Sequence, residues 1–171
     1  AVFVSDENPI NEMTLEQVRQ VFTGKITNWK ELGWEDKRII LYSRENNSGT
    51  YQFFKERVLK GEDFSKEANF MQGTGAVLFA LQRDKQGIGY GGIAYLPKGV
   101  KTLKIKKDAN SKAVAPTASS AQDGTYPIAR ELYFYVVGEP NPLAKKFIDF
   151  VLSEDGQKVC EKVGYYPLPK K

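Results

Sequence analysis

Apolar positions recur along this chain in two periods, and the switching between them predicts strands and helices in turn. Residues 2–4 (Val-Phe-Val) form a short apolar run that predicts a strand, broken by Asn8-Pro9. Thr14-Leu-Glu-Gln17 is a capping box and opens a helix in which Leu15, Val18 and Phe22 share a face. Gly24 ends it, and residues 28–32 predict a short turn. A second strand is expected over 38–42. Ser48 then caps a helix running to about Leu59, with Phe53, Phe54, Val58 and Leu59 inward. Gly73 and Gly75 lead into a helix over 76–83, followed by strands over 88–92 and 101–105. Residues 108–125 are polar, with a helical turn around 118–122. The run 131–137 (Glu-Leu-Tyr-Phe-Tyr-Val-Val) is the strongest predicted strand, and its near-continuous apolarity predicts cover on both faces. Pro142 starts a helix with Leu143, Phe147, Ile148, Val151 and Leu152 inward, and 154–162 forms another. Strands alternating with helices predict an α/β fold.

A chain of 171 residues fits one domain, or one and a half, and can bury a core. Its net charge of +4 is spread along the sequence without a basic block, which argues against a nucleic-acid partner and leaves a mildly basic surface suited to anions. The absence of histidine removes the common Ser-His-acid hydrolases and most catalytic metal sites. The single cysteine, Cys160, allows no internal disulfide and reads as a small buried hydrophobe on a helix. No run of 18 apolar residues is present to span a membrane. The opening Ala1-Val-Phe-Val lacks Met and a leader, so a removed signal segment and a missing upstream piece are expected. No catalytic residue, metal ligand or cofactor is assigned.

The segment that carries chemistry runs from Leu41 to Phe54: a strand end, a short loop and a helix start. The first turn of a helix has unpaired N–H groups and the positive end of the dipole. Ser48 and Thr50 add hydroxyl donors, and Gly49 lets a ligand approach the backbone. Arg44 can offer a planar fork to two oxygens of a tetrahedral anion. The same residues have a plainer reading, in which Ser48 only caps the helix and Arg44 pairs with a surface acid such as Glu45.

The wider pattern resembles the phosphate-binding proteins of ABC importers. The stretch from Thr14 through Phe22-Thr-Gly-Lys-Ile-Thr-Asn-Trp29 to Gly33 is similar to the opening of that family's second lobe. Arg44-x-x-x-Ser48-Gly49-Thr50 matches its anion-contact motif. Gly87-Ile-Gly-Tyr90, Gly124-Thr-Tyr-Pro127, Phe147-Ile-Asp-Phe-Val-Leu-Ser-Glu-Asp-Gly156 and Gly164-Tyr-Tyr-Pro167 follow in the family's order. The resemblance implies a periplasmic-binding-protein-like lobe with a mixed sheet flanked by helices, plus an incomplete second lobe. It implies that residues 10–126 form the second (middle) lobe carrying the anion-binding turn. Residues 1–9 and 127–171 would then be the crossover strands and C-terminal helices of an incomplete first lobe. Arg44, Ser48, Gly49 and Thr50 are the implied phosphate ligands, with Gly73, Thr74 and Gly75 as a second shell or cleft wall. The implied partners are inorganic phosphate and an ABC transporter permease, and a homodimer through the incomplete lobe is a further expectation. The implied location is periplasmic or extracellular, with anchoring through a removed N-terminal segment.

Other readings are carried beside it: binding of another oxyanion such as tungstate or molybdate, a phosphate-ester hydrolase, and a signalling or adhesion lobe. Gly87-Ile-Gly-Tyr-Gly-Gly92 satisfies the GxGxxG pattern but is itself strand-like, so a dinucleotide site is rejected. Trp29, Tyr90, Tyr133 and Tyr135 are expected in the core.

Overall fold

The computed structural model describes residues 1–93 and 96–169; the last two positions of the expected C-terminal segment lie outside the described residues. Helix α1 (Leu15–Phe22) forms where the capping box predicts it. Thr14 Oγ1 accepts from the Gln17 amide at 3.1 Å, and Gln17 Oε1 accepts from the Thr14 amide at 2.9 Å. The helix buries Val18, Val21 and Phe22. A second reciprocal cap, between Asn28 and Glu31, opens a 3-10 turn at Trp29–Leu32. Trp29 is buried there, and its indole N–H donates to the Gln86 carbonyl at 2.9 Å.

Five strands make the main sheet: β1 (Val2–Ser5), β3 (Ile40–Arg44), β4 (Asn69–Met71), β5 (Gly87–Tyr90) and β6 (Val100–Thr102), in the order β4-β3-β5-β1-β6. β3 runs parallel to β4 and β5, whereas β1 runs antiparallel to β5 and β6, so the sheet is mixed as expected. β2 (Glu12–Thr14) and β7 (Lys104–Lys106) form a separate parallel pair. α2 (Gly49–Arg57) joins β3 to β4, and α3 (Gly73–Leu81) joins β4 to β5.

Side-chain alternation divides the core between the two sheet faces. Val2 and Val4 belong to the larger cluster, with Val18, Phe22, Phe54, Ile88 and Tyr90. Phe3 points the other way, onto Val77, Leu78 and Leu81 of α3. On the larger side Tyr90 stacks on Phe54 with ring centroids 3.8 Å apart, and Phe22 meets Tyr90 edge-on at 5.5 Å.

The glycines of the rejected dinucleotide pattern seat α3. A Cβ on Gly87 would meet Leu81 Cδ2 at 2.7 Å, and one on Gly89 would meet Val77 Cγ1 at 2.5 Å. A Cβ on Gly91 would meet Thr74 Cγ2 at 2.5 Å. The period of two along the strand thus matches the turns of the helix lying across it.

The strand predicted over 2–4 forms as β1, which lies inside the sheet, between β5 and β6, and is wholly buried. Two expectations need correction. Residues 131–137 form no strand, and Tyr133 and Tyr135 are exposed instead of core, Tyr135 to 90%. A strand exists only where a neighbouring backbone completes its ladder, and high β-propensity cannot substitute for that partner. The second concerns α5 (Pro142–Leu152) and α6 (Glu154–Lys162), which form as predicted and pack on each other. The expected inward face of α5 is open, however, with Leu143 79%, Phe147 56% and Leu152 56% exposed. Cys160 on α6 is half-buried. The tail returns to the main body through hydrogen bonds from Tyr166 Oη to the Pro116 carbonyl and from Gln122 Nε2 to the Pro167 carbonyl. Gln122 closes α4 (Ala118–Gln122), the short helix expected there.

Candidate functional site

The parallel strands β3, β4 and β5 end on the same edge of the sheet, at Arg44, Met71 and Tyr90. β3 is continued through α2 to β4 on one side, while β5 lies on its other side, so the strand order reverses at β3. Open α/β sheets bind ligands in the crevice past such a reversal.

Arg44 is the last residue of β3 and its side chain is only 14% exposed. Its Nε and Nη2 each donate to the Glu45 carboxylate at 3.0 Å, and Nη1 donates to Thr74 Oγ1 at 3.1 Å. A guanidinium has five N–H groups, so two remain for another acceptor. Glu45 is also tied to α3, because the Gly73 amide donates to its Oε2 at 3.1 Å. The Arg44 hydrogen bond, then its own backbone N–H and that of Gly73, bring the Glu45 carboxyl down to about 2. It is therefore ionised throughout the physiological range, offsetting much of the Arg44 charge.

Ser48 precedes α2 as its N-cap. Its hydroxyl accepts from the Thr50 amide at 3.1 Å and from the Tyr51 amide at 3.4 Å, leaving the hydroxyl proton to be donated outward. The Ser48 amide donates to the Glu45 carbonyl at 3.0 Å, which folds the 45–48 loop back toward the end of β3. Gly49 is exposed, and its amide has no hydrogen-bond acceptor among the described residues.

Gly73, Thr74 and Gly75 form the first turn of α3. Thr74 Oγ1 accepts from both Arg44 and the Gly92 amide, the latter at 3.3 Å, so it joins the ends of β3 and β5. Gly75 is exposed, and a Cβ there would meet open space. Behind the site, Ser43 Oγ and Tyr90 Oη share a hydrogen bond of 2.9 Å, and the Arg44 amide donates to Tyr90 Oη at 3.3 Å. Burial pushes the Tyr90 phenol up to about 12, so it stays a neutral anchor.

Both plain elements of the sequence reading are present: Ser48 caps a helix and Arg44 pairs with Glu45. Together they take two Arg44 N–H groups and the Thr50 and Tyr51 amides. With a third Arg44 N–H on Thr74, two Arg44 N–H groups, the Ser48 O–H and the Gly49 amide are left for an oxyanion. The pairing of Arg44 with Glu45 was read from the sequence as a plain surface ion pair; that it acts as a clamp held by Thr74 and Gly73, with Tyr90 and Ser43 behind it, was not. The only available signal for the clamp was an acid directly following the arginine.

Residues 1–155 match the model of the PBP superfamily domain. The phosphate-binding protein PstS of Pseudomonas aeruginosa is 37% identical over 187 residues, covering 100% of this chain and 58% of that protein. The Staphylococcus aureus protein of the same name is 35% identical, covering 99% of this chain and 54% of its own length. The chain thus spans a little over half the length of these curated relatives. A solved Clostridium perfringens structure with bound phosphate, named as a phosphate ABC transporter substrate-binding protein, superposes with TM-score 0.83 at 31% identity. That match covers 99% of this chain and 68% of the other. An ABC-type phosphate transport receptor from Vibrio cholerae gives TM-score 0.79 at 25% identity, with the same coverage. These relatives are binding proteins, and the kinship inferred from the ordered motifs holds. With its mixed sheet, flanking helices and family match over residues 1–155, the chain belongs to the PBP superfamily.

Proposed function

We propose that this chain captures inorganic phosphate as part of an extracytoplasmic solute-binding protein feeding an ABC importer, without catalysing a reaction on it. One observation carries the reading. The free N–H groups of Arg44, the Ser48 hydroxyl and the opening amide of α2 belong to one strand–loop–helix turn past the carboxyl end of β3, in a chain whose whole length aligns with part of a phosphate-binding protein. Arg44, Ser48, Gly49 and Thr50 are the ligands in this reading. Thr74 and Gly73 act on them indirectly, by holding Arg44 and Glu45.

In the same reading the body built on the five-stranded sheet is one lobe of a two-lobed protein, and it includes β1. Residues 127–171 belong to the other lobe, apart from Ile128 and Ala129, which pack in the main core, and the exposed apolar side chains beyond them favour contact with a further surface. A second copy of the chain is the partner proposed for that surface, and the importer's permease is the partner proposed for the loaded protein. Among the described residues, no helix is long and apolar enough to cross a membrane.

Isothermal titration with phosphate, sulfate and tungstate, beside an assay for phosphate-ester hydrolysis, tests the function. The expected result is saturable phosphate binding without hydrolysis. Preference for tungstate, or turnover of an ester, overturns it.

A further inference from the structure

We propose that Arg130 is a second guanidinium of the oxyanion site, acting at the amino end of α2; this rests on the phosphate reading above. A Cβ on Gly49 would stand 3.5 Å from Arg130 Nη2 and 3.9 Å from Nη1, ordinary contact distances, so the guanidinium lies beside the first residue of the helix. One turn along, the Arg130 guanidinium carbon lies 5.2 Å from the centre of the Phe53 ring. Arg130 therefore lies along α2 from Phe53 to Gly49.

Its electrostatic situation is unusual. The amino end of a helix is positive, and a cation beside it is repelled. Carboxylates normally occupy that place, yet Arg130 has no ion pair or hydrogen bond among the described residues. The adjacent Glu131 carboxylate accepts instead from Tyr133 Oη at 2.6 Å. The Phe53 ring supplies a modest attraction. An anion lying between the guanidinium and the α2 amides would turn the repulsion into two attractions.

The charge balance at Arg44 leads to the same point. Glu45 offsets the Arg44 charge and occupies two of its N–H groups. A doubly ionised oxyanion would thus meet little net positive charge from that pair. Arg130 supplies the missing cation.

The test is titration of inorganic phosphate into the full-length protein, comparing wild type, Arg130→Gln, Arg130→Lys and Arg44→Ala across pH, with thermal melting as a check on folding. Arg130→Gln should weaken binding about three- to tenfold with melting unchanged, and Arg130→Lys should recover part of the loss. The preference for doubly over singly ionised phosphate should shrink in Arg130→Gln, a change that lost packing on Phe53 would not produce. If Arg130→Gln matches wild type in affinity and pH response while Arg44→Ala loses binding, Arg130 has no part and the phosphate site stands. If wild type binds no phosphate, the phosphate reading fails and this inference fails with it.

Discussion

Glu45 grips the residue before it: Arg44 donates to its carboxylate through Nε and Nη2, each at 3.0 Å. The pair orients the guanidinium before any ligand arrives, because Nη1 is simultaneously held by Thr74 and the carboxylate by the Gly73 amide. Such preorganisation lowers the entropy cost of binding, while the acid tempers the charge offered.

Arg44→Ala should weaken phosphate binding in the full-length protein by about 2–5 kcal/mol, the usual cost of truncating a desolvated charge-assisted pair. Arg44→Lys should restore only part, since an ammonium cannot hold Glu45, Thr74 and an oxyanion in one plane. Calorimetric titration gives the numbers. Unchanged affinity in Arg44→Ala would reduce the motif to a helix cap and an ion pair.

The acid limb of stability should depend on Glu45. Its carboxyl is lowered from 4.5 to about 2, chiefly by the Arg44 hydrogen bond. A group depressed on folding stabilises the native state above its ordinary value, and that contribution fades as pH falls. Wild type should therefore lose stability between about pH 4.5 and pH 2 more steeply than Glu45→Gln. Denaturant midpoints across that range decide it: parallel curves for the two proteins would mean the ion pair contributes nothing.

Gly89→Ala should destabilise by about 1–3 kcal/mol, because its new methyl would overlap Val77 and press on the Tyr42 carbonyl, which is backbone and cannot rotate aside. Gly92→Ala, with open space around its Cβ position, is the control and should melt near wild type. Gly91→Ala should act more locally, displacing Thr74 and with it one of the Arg44 hydrogen bonds. Thermal melting separates the first two variants, and phosphate titration reads the third.

Beyond Ala129 the chain contributes almost nothing to the buried core, whose last large members are Tyr126 and Ile128. A protein ending at Arg130 should keep a cooperative thermal transition, having lost mainly the two tail hydrogen bonds to Pro116 and Gln122. The 171-residue chain should associate with rising concentration through Leu143, Phe147 and the 132–137 run, and the shortened chain should do so less. Light scattering across a concentration series tests this. Equal, concentration-independent masses per chain would remove the proposed self-contact.

Much of the fold was legible because its signals are local. Thr14 and Gln17 cap one another within a single turn, Pro142 opens α5 at its first position, and Ser48 starts α2. These outcomes depend on neighbours three or four residues away. The short strands β2 and β4 were missed because three residues carry too little periodicity. Of the site, the donors and the Arg44–Glu45 pair were legible, whereas the groups that hold that pair were not. Thr74 reaches Arg44 across 30 positions of sequence, and Tyr90 reaches Ser43 across 47.

The sequence by itself determined where the helices begin, which residues can offer N–H and O–H groups to an anion, and the family to which their order belongs. The tertiary structure decided what each of those groups faces. It set β1 between β5 and β6, where two long-range partners complete its ladder, and left 131–137 without one, although the latter has the stronger strand-forming composition. Propensity is a property of one segment, and a β-ladder is a property of two; which backbone lies alongside is settled only when the chain is folded.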